Sequence, residues 1–194
     1  IVLLSLTPPV ARDELVHHLA LPKLYIQHGG IYEIPFMDWS YYPMNLDLLY
    51  MIPLYFGNDI IPKFIHFAFA LLTAWLVYYY LKSRTSKNYA LFGSLFFLSV
   101  PIIIKLSTTA YVDLGEIFFS FSALILILEW IKKDFRIKFL ILSGVMCGLA
   151  LGTKYNGLIT LVILTFFVPF IYSKCQDKKS TGTIKPAFYG MIFI

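Results

Sequence analysis

Apolar runs long enough to cross a bilayer, set apart by short clusters of Lys and Arg, leave this chain few ways to fold. A helix needs about 20 residues to span the hydrocarbon core. Ile60 to Leu81 supplies one such run and is followed by Lys82, Arg84 and Lys87. Tyr89 to Ile131 is too long for one helix, and Lys105-Leu106-Ser107-Thr108-Thr109 interrupts it; Lys132, Lys133, Arg136 and Lys138 come next. Phe139 to Tyr172 is broken in the same way by Gly152-Thr153-Lys154-Tyr155-Asn156-Gly157, and Lys174, Lys178, Lys179 and Lys185 follow it. A soluble domain carries about 25% charged residues; here 14% are charged and 59% are hydrophobic. The expected fold class is all-α, a polytopic membrane helical bundle.

The basic clusters test the splitting. If they all lie on the cytoplasmic side, an even number of crossings must separate them. Dividing each long run into a hairpin meets that condition. The expected spans are 60–81, 89–106, 110–131, 137–153 and 156–173, with 186–194 starting another and 1–6 ending an earlier one. Both ends read as cuts through membrane helices, so the chain reads as the N-terminal part of one transmembrane domain. Residues 7–58 then form an outer loop, and the turns around Lys105–Asp113 and Lys154 meet the same face. The net charge of +5 comes from these clusters, which points to membrane topology and away from nucleic acid. Cys147 and Cys175 lie in unrelated settings and have no zinc-like spacing.

The outer loop has helical patterning of its own. From Arg12 to His28, at about 100° per residue, Asp13, Glu14, His17 and His18 fall on one arc and Leu15, Leu19 and Ile26 on the other. Pro22 should kink or end this helix, and Gly29-Gly30 stops it. A second helix is expected from Pro43 to Phe56, closed by Gly57-Asn58. With Trp39, Tyr41, Tyr42, Tyr50 and Tyr55 close by, both suit the membrane interface.

Three segments hold candidate chemistry. Asp13 or Glu14, just after a span, can act as a general base on an incoming hydroxyl; equally, acids near a helix N-terminus stabilise its dipole. Arg12 and His17 adjoin them, and a metal held by His17, His18 and the acids is a weaker reading. Asp113 and Glu116 stand where a span re-enters the bilayer. Acids at that depth are costly and usually functional, although a first-turn acid also caps a helix. Lys154, beside Tyr155 in a tight turn before the next helix, makes an anion site or snorkels to the interface. Gly144, Gly148 and Gly152 recur every four residues, as in a close-packing helix face.

Taken in order, these segments resemble the lipid-linked-sugar glycosyltransferases of the C-type membrane superfamily. The likeness is to the family that contains protein O-mannosyltransferases and bacterial aminoarabinose transferases. Asp13-Glu14-Leu15-Val16-His17-His18-Leu19-Ala20, with Gly29-Gly30 and Pro35, resembles its first outer loop. Tyr42-Pro43 and Leu54-Tyr55-Phe56-Gly57 resemble the steps that follow, with Tyr42 standing where many members have Lys. Tyr111-Val112-Asp113 and Gly148-Leu149-Ala150-Leu151-Gly152-Thr153-Lys154 resemble its later acidic and basic motifs.

The resemblance implies transfer of a sugar from a polyprenyl-phosphate donor to a protein, lipid or glycan hydroxyl on the non-cytoplasmic face, with inversion. Asp13, Glu14 and Asp113 would be catalytic, Lys154 and Tyr155 would bind the donor phosphate, and Arg12, His17, Tyr42 and Glu116 would contact substrate. The expected setting is a cytoplasmic (inner) membrane with the site facing outward, in contact with membrane lipids. No metal ligand set is expected, and the need for a divalent cation stays open. The alternative is a transporter or flippase for a lipid-linked or small anionic substrate. Such proteins place polar groups and broken helices near the midplane, whereas these charges gather at the ends of the spans.

Overall fold

The structure, a computed structural model, describes residues 1–176. Its helices are α1 (Val2–Ser5), α2 (Ala20–His28), α3 (Asn45–Tyr55), α4 (Ile61–Lys82), α5 (Lys87–Ser99), α6 (Pro101–Leu106), α7 (Asp113–Lys132), α8 (Ile137–Thr153) and α9 (Gly157–Gln176). No strand occurs among the described residues. The fold is an all-α bundle. The run beginning near Pro186 lies outside the described residues.

Three helices, α4, α7 and α9 over Gly157–Cys175, are long and apolar enough to cross a membrane, and Ile137–Thr153 is a shorter apolar helix. Only 28%, 39% and 17% of the three apolar windows are buried within the protein. The rest of their surface keeps large side chains outward, Trp75 and Phe166 among them. Lipid is the solvent in which such a surface is stable. The most buried of the three, α7, packs against α4, α8 and α9. Trp130, Ala123 and Ile127 of α7 meet Leu140 and Cys147 of α8 and Val168 of α9 in one core.

The stretch expected as one span over 89–106 is two helices. Val100, at φ −61° and ψ 125°, is extended, because the ring of Pro101 excludes the helical region for the residue before it. The glycine stripe on α8 is not used as a unit. A Cβ at Gly148 would meet nothing, whereas one at Gly152 would strike the Asn45 side chain. The buried residues of α8 are Leu140, Ser143, Cys147, Ala150 and Thr153, so its inner face lies beside the stripe.

The first loop also departs from regular periodicity. Glu14–His18 form a wide π-type turn before α2 begins at Ala20. Pro22 has no N–H to give to the carbonyl of His18, and its ring crowds that carbonyl, so the widening falls just upstream. The expected arc is therefore scrambled: Glu14 and His18 are buried with Leu19, while Leu15 is exposed. Gly29 ends α2 at φ 83°, and its N–H and that of Gly30 both return to the carbonyl of Tyr25. Next, α3 lays Leu46, Tyr50 and Leu54 against Leu19, Ala110 and Val112, which fastens the loop to the turn before α7.

Candidate functional site

The polar frame around the site begins in α4. His66 is fully buried, and its Nδ1 lies 3.0 Å from the carbonyl of Leu106 and 2.8 Å from that of Thr109. Its Nε2 accepts the N–H of Leu114 at 2.9 Å. One ring thus bonds the carbonyls of Leu106 and Thr109, at and just after the end of α6, and takes up an amide at the start of α7 that no helical carbonyl reaches. One turn earlier, the Lys63 ammonium donates to the carbonyl of Thr7 at 2.9 Å and stands 4.0 Å from Glu14. Glu14 accepts the N–H of Ala110 at 2.8 Å and that of Ala11 at 3.3 Å. Tyr50 of α3 donates its hydroxyl to the carbonyl of Tyr111. These bonds hold the first loop, α4 and residues 106–114 in one register.

On that frame rests a cavity of about 560 Å³. Asp13 and His17 line it from the first loop, Tyr42 from the stretch before α3, Tyr111 and Asp113 from the start of α7, and Lys154 and Tyr155 from the α8–α9 turn. Asp113 and Lys154 form an ion pair at 2.6 Å, with both side chains partly exposed. Lys154 is extended at the end of α8, and its carbonyl accepts the N–H of Gly157 at 2.9 Å. The turn is so tight that a Cβ at Gly157 would come within 2.4 Å of the Leu151 backbone. Rings of Tyr42 and Tyr155 meet edge to face with centroids 5.2 Å apart. The Tyr155 hydroxyl donates to the carbonyl of Tyr41 at 3.4 Å.

The cavity also shifts its titratable groups. His17, half-buried, is lowered from 6.5 to about 4, first by burial, then by His18 and, more weakly, by Lys154, while Asp13 pulls the other way. Burial, then the negative fields of Asp13, Glu14 and Asp113, raise the Tyr111 hydroxyl. Burial also raises the Asp47 carboxyl, against the opposing pull of His18.

Of the residues singled out in the sequence, Asp13, His17, Tyr42, Asp113, Lys154 and Tyr155 come together. Arg12 is exposed outside the cavity lining. Glu14 points into the protein, where it ties Ala110 to the loop. Glu116 lies in a separate groove between α7 and α9, where it accepts the Ser120 hydroxyl at 2.9 Å. Among the described residues no group of three or more His, Cys, Asp and Glu gathers where it could hold a metal ion. Lys63, His66 and Asp47 were not anticipated. Their signal was present: Lys63 and His66 are ionisable residues inside an apolar run, where a partner is expected, and Asp47 interrupts an apolar helix.

Fold and site define a membrane protein with a polar chamber where two interhelical turns meet a folded first loop. Residues 54–193 match the dolichyl-phosphate-mannose-protein mannosyltransferase family. The chain belongs to that family, and with it to the integral membrane glycosyltransferases of the mannosyltransferase type. The match takes in Asp113, Glu116, Lys154 and Tyr155 and leaves out Arg12, Asp13, Glu14, His17 and Tyr42. No curated protein matches the chain, and no solved structure does.

Proposed function

We propose that the cavity transfers a sugar from a polyprenyl-phosphate donor to an acceptor hydroxyl, with inversion and with Asp13 as the base. The observation that carries this reading is the meeting of Asp13, Asp113 and Lys154 in one chamber at the ends of the apolar helices. A donor whose lipid lies in the bilayer presents its phosphate at that depth. The Lys154 ammonium, steered by Asp113, neutralises charge on the phosphate as the glycosidic bond breaks. Asp13 takes the proton from the acceptor O–H. The acceptor oxygen then bonds to the anomeric carbon opposite the departing phosphate, which keeps the electron pair of the broken C–O bond. The products are an inverted glycoside and the free polyprenyl phosphate, and Asp13 returns its proton to water. Tyr42 and Tyr155 line the cavity beside Lys154. Asp113 serves as a positioning residue for Lys154.

The basic clusters support an outward-facing site. Short connections make α4 and α5, and likewise α7 and α8, antiparallel neighbours. Lys82, Arg84, Lys87 and Lys132–Lys138 then lie at the helix ends remote from the α6–α7 and α8–α9 turns. The positive-inside rule puts those clusters in the cytoplasm and the cavity on the far face of the inner membrane.

The test is an assay of the purified membrane protein with a panel of polyprenyl-phosphate sugars, reading release of free polyprenyl phosphate. Transfer by the wild type and its loss in Asp13→Asn are expected. Normal turnover by Asp13→Asn removes the base assigned here, and no release from any donor removes the reaction.

A further inference from the structure

The transfer scheme leaves unused His17, His18, Trp39 and Asp47 of the cavity wall. His18 and Asp47 both line the cavity. They pair at 2.8 Å through the imidazole Nδ1, and each side chain is only 10% exposed. A carboxylate in the otherwise apolar α3 destabilises the fold unless it is paired and hydrogen-bonded. Here its partner is a ring whose other nitrogen, Nε2, has no hydrogen-bond partner among the described residues. The arrangement resembles the way a second group fixes the tautomer of a functional histidine. With Asp47 taking the Nδ1–H, the Nε2 of a neutral ring is a hydrogen-bond acceptor.

Two further features share this wall. The His17 ring lies 3.9 Å from that of His18 and stacks on Trp39 at 5.4 Å, tilted by only 6°. Its Nδ1 is buried and without a partner. Lys154 is the one Lys or Arg among the residues lining the cavity. The first-loop wall thus offers carboxylates, imidazole nitrogens and an indole face. Hydroxyls donate to such acceptors, and the C–H face of a pyranose ring packs on an aromatic one. An anionic sugar would meet Asp13 and Asp47.

We propose that His18, fixed by Asp47, accepts a hydrogen bond from one hydroxyl of the transferred sugar and so sets which hydroxyl pattern the site prefers. The inference rests on the glycosyl-transfer reading and assigns specificity within it. His18 and Asp47 select the sugar, while Asp13 and Lys154 carry the reaction.

The experiment compares the preferred polyprenyl-phosphate hexose with its four monodeoxy forms, for the wild type, His18→Asn and Asp47→Asn. In His18→Asn the amide keeps a donor for Asp47 and loses the reach of Nε2. Its kcat/KM for the parent donor is expected to fall about tenfold, as for one lost hydrogen bond. The wild type is expected to lose a similar factor with one monodeoxy donor, and His18→Asn to lose nothing more with that donor. A merely structural role would lower all donors alike, and such a uniform loss overturns the assignment. If His18→Asn does not insert and fold, Asp47→Asn decides: a smaller loss, absent for the same monodeoxy donor, is expected, and a uniform loss again overturns it. A wild type that uses the hexose and all its deoxy forms equally overturns the inference and leaves transfer intact, whereas a wild type that releases no polyprenyl phosphate ends both.

Discussion

Two polar clusters meet around residues 106–114, and they differ in what they leave unpaired. In the closed one, Glu14, Lys63 and His66 are all buried, and their polar atoms are engaged by Ala11, Ala110, Thr7, Leu106, Thr109 and Leu114. In the open one, Asp13 has no hydrogen-bond or ion-pair partner among the described residues, His17 keeps a buried nitrogen unpaired, and Lys154 is held only by Asp113. Neighbours in sequence divide between the two: Asp13 from Glu14, and Asp113 from Leu114, whose amide His66 holds. A satisfied polar group holds the backbone where it is. An unsatisfied one, next to a cavity, is free to bind something else. Adjacent acids of identical charge therefore carry opposite expectations.

The widest separation should come from the acidic pair. Asp13→Asn is expected to lower transfer by about 10²–10⁴-fold, the range for loss of a general base, while shifting stability by less than about 0.5 kcal/mol, as for an exposed site. Release of polyprenyl phosphate and thermal unfolding in detergent, measured on the same samples, check both halves. Next comes Lys154→Ala, with a loss of about 10²–10³-fold from removing one charge-stabilising donor. Its partly exposed pair with Asp113 contributes about 1 kcal/mol to stability, so its melting transition should barely move. In the closed cluster the pattern should invert. Lys63→Met leaves Glu14 buried without a counter-charge and should cost about 3 kcal/mol of stability. The fraction that remains folded should keep near-normal turnover per active molecule. Equal thermal shifts in Lys63→Met and Lys154→Ala would erase the distinction between the clusters.

How much of this was legible beforehand follows from what each feature depends on. The helical class and the polar turns at Lys105–Asp113 and Lys154 follow from hydropathy and charge, because lipid forbids unsatisfied backbone across a span. Asp13, Asp113 and Lys154 stood out as charges at helix ends. The fate of Glu14 was hidden, because one wide turn rotates the residues after Asp13 off the 100° wheel, and only Pro22 marks where that happens. His66 and Lys63 were overlooked inside a run read as apolar, although their rarity in such a run was itself the clue. Pairing of His18 with Asp47 joins residues 29 apart in sequence, and no local pattern reports it. The break at Val100 was readable from Pro101 alone.

The smallest effect probes the boundary between the clusters, at His17. Its unfolded value is the ordinary 6.5, and in the folded protein it titrates only near 4. Between these values the unfolded chain holds a proton that the folded chain lacks, so stability should fall as pH drops through that window and level off below it. Above 6.5 both states are neutral and the ring contributes no slope. Burial is the main cause and the positive fields of His18 and Lys154 add to it, while Asp13 opposes them. His17→Gln removes the titrating group but keeps a polar amide near Trp39. Unfolding midpoints of wild type and variant, followed from neutral pH to about 4.5, should therefore diverge, the variant's falling less steeply. Parallel curves would mean that the ring takes up its proton in the folded protein as readily as in water. His17 would then carry its charge at mildly acidic pH and would no longer offer the cavity an acceptor nitrogen.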